Sequence, residues 1–386
     1  MIVLVFAAFV SIGLPDALFG SAWPAMRVEF GMGNGAVGLL NIPGSLAYIA
    51  SSAMLGTVMR KVTIAQLLSG STAMVGLGLT IYALAPTFWA IIPAVMLIAS
   101  GSGAIDAALN LFAAQNLPAR YMSWLHAFYG MGALAGPFLM AFVFGMGQSW
   151  RWGYAVIAMI LWLMALVFVV TRKQWSSASE LNPDTEEHSP LTGAQVLRMP
   201  RVQLSFLMMM GGACIEALAA VWTASLLINR FGVNESTGAI GLGIYWIALT
   251  GARVLVPIIW GGADSLRIQR WSTGIVLLAA LLMVPHSLEL TWIGVILVGL
   301  GIASIFPVAM TITAERFGSS VSTHAIGYMV SASTVMFAIM PPFAGWLADH
   351  VGFGIVPVLL LGGALLLLAT QMVLERGDTP AQADQL

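Results

Sequence analysis

Ile91-Ile-Pro-Ala-Val-Met-Leu-Ile-Ala-Ser100 contains no charged side chain, and Val358 to Ala369 near the other end is as apolar. Each run lies inside a longer apolar segment, of the roughly 20 residues that a helix needs to cross a bilayer. The rest of the chain repeats the pattern. Hydrophobic residues make up 59% of the sequence and charged residues only 8%, against about 25% charged in a soluble domain. Mean hydropathy is +0.93. A soluble fold of 386 residues could not keep so much apolar surface from water. Lipid is the solvent that fits. In lipid every backbone N–H and C=O needs a partner inside the protein, so spans are helices or closed barrels. Barrels are written as short alternating segments, and these blocks are continuous. We therefore expect an all-α integral membrane protein.

Reading outward gives twelve spans: 2–29, 34–59, 64–85, 88–115, 122–147, 152–171, 203–230, 235–262, 271–288, 291–315, 324–348 and 354–374. Turn-forming residues fall between them, as at Gly31-Met-Gly-Asn-Gly35, Ala85-Pro86, Leu117-Pro118 and Gly352-Phe-Gly354. The first run begins at Ile2 without a basic segment before it and is interrupted by Asp16, so it reads as a retained span rather than a signal peptide. The single cysteine, Cys214, excludes an intrachain disulfide. A net charge of −1 gives no reason to expect nucleic acid as a partner. Neither a metal-ligand cluster nor a cofactor motif is present, and no HExxH or GxSxG signature suggests an enzyme.

Only one connection is long and polar. Lys173 to Arg201 holds Glu180, Asp184, Glu186, Glu187 and three prolines. We expect a first six-helix bundle over residues 1–172, a linker over 173–201, a second bundle over 202–374 and a tail over 375–386. Basic residues orient the spans. With the N-terminus inside, Arg60, Lys61, Arg120, Arg172, Lys173, Arg198, Arg201, Arg267, Arg270, Arg316 and Arg376 are cytoplasmic. Only Arg27, Arg151 and Arg230 fall on the outer side. Linker and termini are then cytoplasmic, in the cell's inner or plasma membrane.

The two sixes resemble each other. Asp16-Ala-Leu, Phe30-Gly31 and Gly35-Ala-Val-Gly-Leu39 match Glu216-Ala-Leu, Phe231-Gly232 and Gly238-Ala-Ile-Gly-Leu242. His126-Ala-Phe-Tyr-Gly-Met131 matches His324-Ala-Ile-Gly-Tyr-Met329, and Gly101-Ser-Gly103 matches Gly299-Leu-Gly301. The order is kept, at a nearly constant offset of about 200 residues.

Ionisable groups within the hydrocarbon are costly, and each is a functional candidate. They are Asp16, Asp106, Glu216 and Arg253, with His126 and His324 nearer a span end. Asp106 has Asn110 one turn away on the same face. Carboxyls in low-dielectric surroundings bind protons tightly, a property suited to proton coupling. The alternative is a structural hydrogen bond for Asp106 and an ion pair with Arg253 for Asp16. We assign Asp16, Asp106 and Glu216 to proton coupling. For solute binding we assign Asn110, His126, Tyr129, Trp222, Tyr245, Trp246 and Arg253. Trp124 and Asn229 lie near span ends.

A duplicated six-helix plan of this kind resembles the major facilitator superfamily. Gly101, Gly103, Asp106, Ala108 and Asn110, Asp16 with Pro24, and Ser304-Ile-Phe-Pro307 are similar to motifs of its fucose/glucose–galactose proton-symporter branch. That resemblance implies two pseudo-symmetric bundles and a monomeric carrier of a small polar, sugar-like solute, coupled to protons at Asp16 and Asp106. Gly132-Ala-Leu-Ala-Gly136-Pro137 is instead similar to a motif of proton-driven exporters, so export of drugs or metabolites stays open. The basic loop Gly56-Thr-Val-Met-Arg60-Lys61 lacks the superfamily's usual aspartate.

Overall fold

The computed structural model describes residues 2–116, 120–175, 192–259 and 264–376. Twelve helices are long and apolar enough to cross a membrane, and no strand occurs among the described residues. They are α1 (Val3–Glu29), α2 (Asn34–Ala53), α3 (Ile64–Leu84), α4 (Phe88–Ala113), α5 (Ala127–Gly145), α6 (Arg151–Val170), α7 (Pro200–Phe231), α8 (Glu235–Val256), α9 (Ser265–Met283), α10 (Leu288–Phe317), α11 (His324–Val351) and α12 (Ile355–Arg376). The stretch 176–191, most of the polar connection, and the tail beyond 376 lie outside the described residues.

The ends of these helices follow from local chemistry. Thr63 and Gln66 form a capping box that starts α3. Gly31 and Gly232 follow α1 and α7 at φ +63° and +69°, a left-handed conformation that favours glycine. The repeated Phe-Gly pairs in the sequence are these two stops. The ninth span needs correction. It begins at Ser265 rather than 271, because Asp264 caps it by accepting from the Leu266 amide. It ends at Met283, just before Pro285. Arg267 and Arg270 therefore sit in the helix, where Arg270 pairs with Glu375 of α12 at 3.0 Å.

Packing repeats between the two sixes. α3 packs on α4 and α6, α1 on α5, and α2 on α4; in the second six, α9 packs on α10 and α12, α7 on α11, and α8 on α10. Across the centre, α5 meets α8, α2 meets α11 and α1 meets α7. The outer face is apolar. On α6 alone Met159, Trp162, Leu163, Leu166 and Val170 are exposed, a surface tolerated by lipid and not by water. The protein is a multi-pass membrane protein.

Proline shapes the interior. It has no N–H, so it frees the carbonyl four residues earlier. Pro307 frees the Ala303 carbonyl, where α10 breaks into two helices, Leu288–Ile302 and Ile305–Phe317. Pro341 likewise frees the Phe337 carbonyl. Each carbonyl is taken up by a side chain from another span: Arg253 Nε donates to Ala303 at 3.5 Å, and Asn41 Nδ2 donates to Phe337 at 3.3 Å. α1 is also interrupted, between Asp16 and Leu18, two residues after Pro15.

Candidate functional site: a central cavity between the halves

A cavity of about 1050 Å³ lies between the two sixes, lined by α1, α2, α4, α5, α7, α8, α10 and α11 among others. Asp16, Asp106, Glu216, Tyr129, Trp246 and Arg253, all singled out in the sequence, line it. So do Phe9, Phe19, Phe306 and Phe337, which supply apolar walls, and Asn41, Ser45, Ser102, Ser304, Thr311, Ser333 and Thr334.

Close helix packing places the first-half acids. A Cβ added to Gly103 would lie 2.6 Å from the Tyr48 carbonyl, and one on Gly101 2.5 Å from that of Ser71. The Gly-x-Gly pair thus lets α4 lie directly against α2 and α3. One turn further along, Asp106 faces the Tyr48 side chain. The Tyr48 hydroxyl donates to Asp106 Oδ2 at 2.7 Å, and Asn110 Nδ2 donates to Oδ1 at 2.9 Å. Both carboxylate oxygens are held. Asp16, exposed to the cavity at the break in α1, accepts a hydrogen bond from the Tyr129 hydroxyl of α5.

The second-half acid is held differently. Glu216 Oε1 pairs with Arg253 Nη2 at 3.3 Å, both side chains being about four-fifths buried at 19% and 21% exposure. The ion pair weighed for Asp16 thus belongs to Glu216. Arg253 is fixed from its other side by the Ala303 carbonyl that Pro307 releases.

Not every candidate reaches the cavity. Asn110 is spent on Asp106 and is not among the lining residues. Trp222 is fully buried: its indole N–H donates to the Pro341 carbonyl at 3.1 Å and its ring packs edge-on against Phe353. It is a packing residue between α7 and α11. Tyr245 is also fully buried, away from the cavity, with its ring against Trp246. The His126 side chain lies outside the described residues. Trp124 is exposed, and Asn229 accepts from Arg27 at 2.9 Å. Sequence reading missed Tyr48. Its signal is the polar stripe Asn41, Ser45, Tyr48 on α2, spaced four and then three residues apart, as one face of a helix requires.

The cavity is closed at the face that carries the α1–α2 loop. There Asp349 of α11 accepts hydrogen bonds from Asn34 and Gly35 at the start of α2. Ser236 of α8 donates to the Ala141 carbonyl of α5 at 2.9 Å. Toward the opposite face, which carries the linker, the lining extends to Ile268 near the start of α9 and to exposed Thr311 on α10.

Comparison with known proteins agrees with this architecture. The Major Facilitator Superfamily profile matches residues 4–282. The chain is 22% identical to the glucose/mannose transporter GlcP of Bacillus subtilis (strain 168), over 86% of this chain and 89% of that one. The crystal structure of the nucleoside transporter NupG superimposes with a TM-score of 0.74 at 13% identity, covering 97% of each chain. A bacterial homologue of the human lysosomal transporter Spinster, captured inward-facing and occupied, gives 0.70 at 11% identity, covering 97% of this chain and 96% of that one. The chain belongs to the Major Facilitator Superfamily and is a membrane transporter, not an enzyme.

Proposed function

We propose that this transporter moves a small polyhydroxylated solute, sugar-like in size and polarity, by alternating access coupled to protons in symport. The observation that carries the reading is the central cavity, in which two carboxyls, Asp16 and Asp106, are held by neutral phenols rather than by cations. A carboxyl with no cationic partner can lose its charge by taking a proton without orphaning a buried positive group. Aromatic walls beside hydroxyl and amide groups suit a sugar ring, which has apolar faces and a polar rim. The likeness to GlcP, named a glucose/mannose transporter, and the fold shared with NupG, named a nucleoside transporter, support this class.

Residues 1–172 and 202–374 would be the two moving bodies, rocking about the cavity. With both acids ionised and no solute bound, closing the cavity would strand charge in a dry site, at several kcal/mol. With the acids protonated and solute in place, closure carries no such cost. Basic residues orient the carrier with the linker and both termini in the cytoplasm of the cell membrane. The three exceptions each have partners in other helices or loops: Arg27 with Asn229, Arg151 with Glu29 at 2.6 Å, and Arg230 with the carbonyls of Met283 and Val284. In this orientation the structure corresponds to an inward-open state, in keeping with its likeness to an inward-facing neighbour.

The Gly132 and Gly136 pair has a packing use. A Cβ on Gly132 would lie 2.2 Å from the Val10 carbonyl, and one on Gly136 3.2 Å from the Leu18 amide. Both glycines let α5 approach α1, so this motif adds no argument for export. In proteoliposomes with an inward-directed proton gradient, D-glucose or uridine is expected to accumulate above its external concentration. Equilibration only, with every sugar and nucleoside tried, would overturn the reading.

A further inference from the structure

We propose that Asp349 is a gating residue: a carboxylate that holds the α2–α11 seam shut by capping, from the opposite half, a helix that has no cap of its own. The inference rests on the alternating-access reading. Helix α2 starts at Asn34 after Gly33, which has no side chain to accept from the first backbone amides. Such amides need an acceptor, and the positive end of the helix dipole favours an anion. Asp349 supplies it from the other half of the molecule. Its Oδ1 accepts from the Asn34 amide at 3.0 Å and from Asn34 Nδ2 at 2.6 Å, and its Oδ2 accepts from the Gly35 amide at 3.0 Å. A Cβ on Gly33 would come within 2.9 Å of Asp349 Oδ2, so the glycine that leaves α2 uncapped also admits the foreign carboxylate.

Two further ties lie along the same end of the molecule. The Arg27 guanidinium of α1 donates to Asn229 of α7 across the halves at 2.9 Å. About two turns deeper along α2, Asn41 donates to the Phe337 carbonyl of α11 that Pro341 frees. The pseudo-symmetric seam, α5 on α8, is built otherwise. It has the neutral Ser236–Ala141 hydrogen bond and continuous small-residue packing, with Gly130 against Thr250 and Gly243 against Phe138. Close glycine packing also lines the first seam, with Gly38 against Pro342 and Gly345 against the Asn34 carbonyl, so what distinguishes it among the described residues is the charge at its rim. Opening at the α1–α2 loop face separates α2 from α11 and costs α2 its cap. The α5–α8 seam acts as the pivot.

The test uses the full chain with Cys214 replaced by serine and Ser45, which lines the cavity, replaced by cysteine. In oriented proteoliposomes a membrane-impermeant charged maleimide is added at the α1–α2 loop face only. Asp349→Ala is expected to label about tenfold faster than its parent, in line with the loss of a charge-assisted cap. Asp349→Asn still offers a capping oxygen without the charge and is expected to fall between them. Ser236→Ala is expected to label within about twofold of the parent. Thermal unfolding of each variant separates gating from loss of fold. Parental labelling rates in a folded Asp349→Ala protein would overturn the latch, as would an equal acceleration by Ser236→Ala. Failure of the alternating-access reading looks different: Ser45→Cys would then label from the linker face alone in every variant, including those that lower thermal stability.

Discussion

The two halves are built on one packing plan, yet they hold their buried acids in opposite ways. In the first half, Asp106 is held by Tyr48 and Asn110, and Asp16 by Tyr129; all three partners are neutral. In the second half, Glu216 is held by the Arg253 guanidinium. The position that repeats Asp106 is occupied by Ser304, at the break in α10. In the register that matches Gly35–Leu39 with Gly238–Leu242, the position that repeats Tyr48 is Gly251, so the second half has no phenol there. A charge balanced by a cation is kept; a charge balanced only by hydroxyls can be surrendered to a proton. We propose on this ground that coupling lies in the first half and that the Glu216–Arg253 pair is a fixed frame in the second.

The largest effect is expected where the frame is broken on one side only. Arg253→Ala leaves Glu216 without its counter-ion in a mostly buried position and removes the donor to the Ala303 carbonyl. Solute uptake should fall by about 100-fold, and thermal stability should drop with it. Combining Arg253→Gln with Glu216→Gln removes both charges and should recover most of the lost stability. A double variant no more stable than Arg253→Ala would show that the pair is not the unit described here.

A smaller effect is expected at Tyr48. Tyr48→Phe keeps the ring and removes one hydrogen bond to a partly exposed carboxyl. Initial rates of proton-driven uptake should fall about fivefold to tenfold, with half-saturation by solute little changed. A large loss of solute affinity at an unchanged maximal rate would instead make Tyr48 a solute contact.

Much of this architecture could be read from the sequence, because lipid imposes a strong pattern on spanning helices. The ninth span starts earlier than the sequence suggests, because Arg267 and Arg270 read as loop charges whereas the cap at Asp264 draws both into the helix. The acids were legible for the same reason: each interrupts an apolar run. Their partners were not. Tyr48 lies 58 residues from Asp106, and Tyr129 lies 113 from Asp16. Nothing local to either acid announces such a neighbour. Helix rotation was the other gap. Trp222 and Tyr245 have the composition of a solute-stacking wall, but their helices turn them into packed interfaces. Trp246, one residue on from Tyr245, lines the cavity. The Asp349 cap was also hidden, since a helix capped from 314 residues away leaves no capping signature at its own start.

The central claim is that coupling belongs to the first-half acids. It is tested most directly by comparing Asp106→Asn with the Glu216→Gln, Arg253→Gln pair in proteoliposomes, each assayed for proton-driven accumulation and for solute counterflow. Asp106→Asn should lose accumulation and retain counterflow, because its neutral amide permits the halves to exchange without a proton. The second-half pair should retain accumulation, at a reduced rate. Full accumulation by Asp106→Asn, or loss of accumulation with intact counterflow in the second-half pair, would contradict the account.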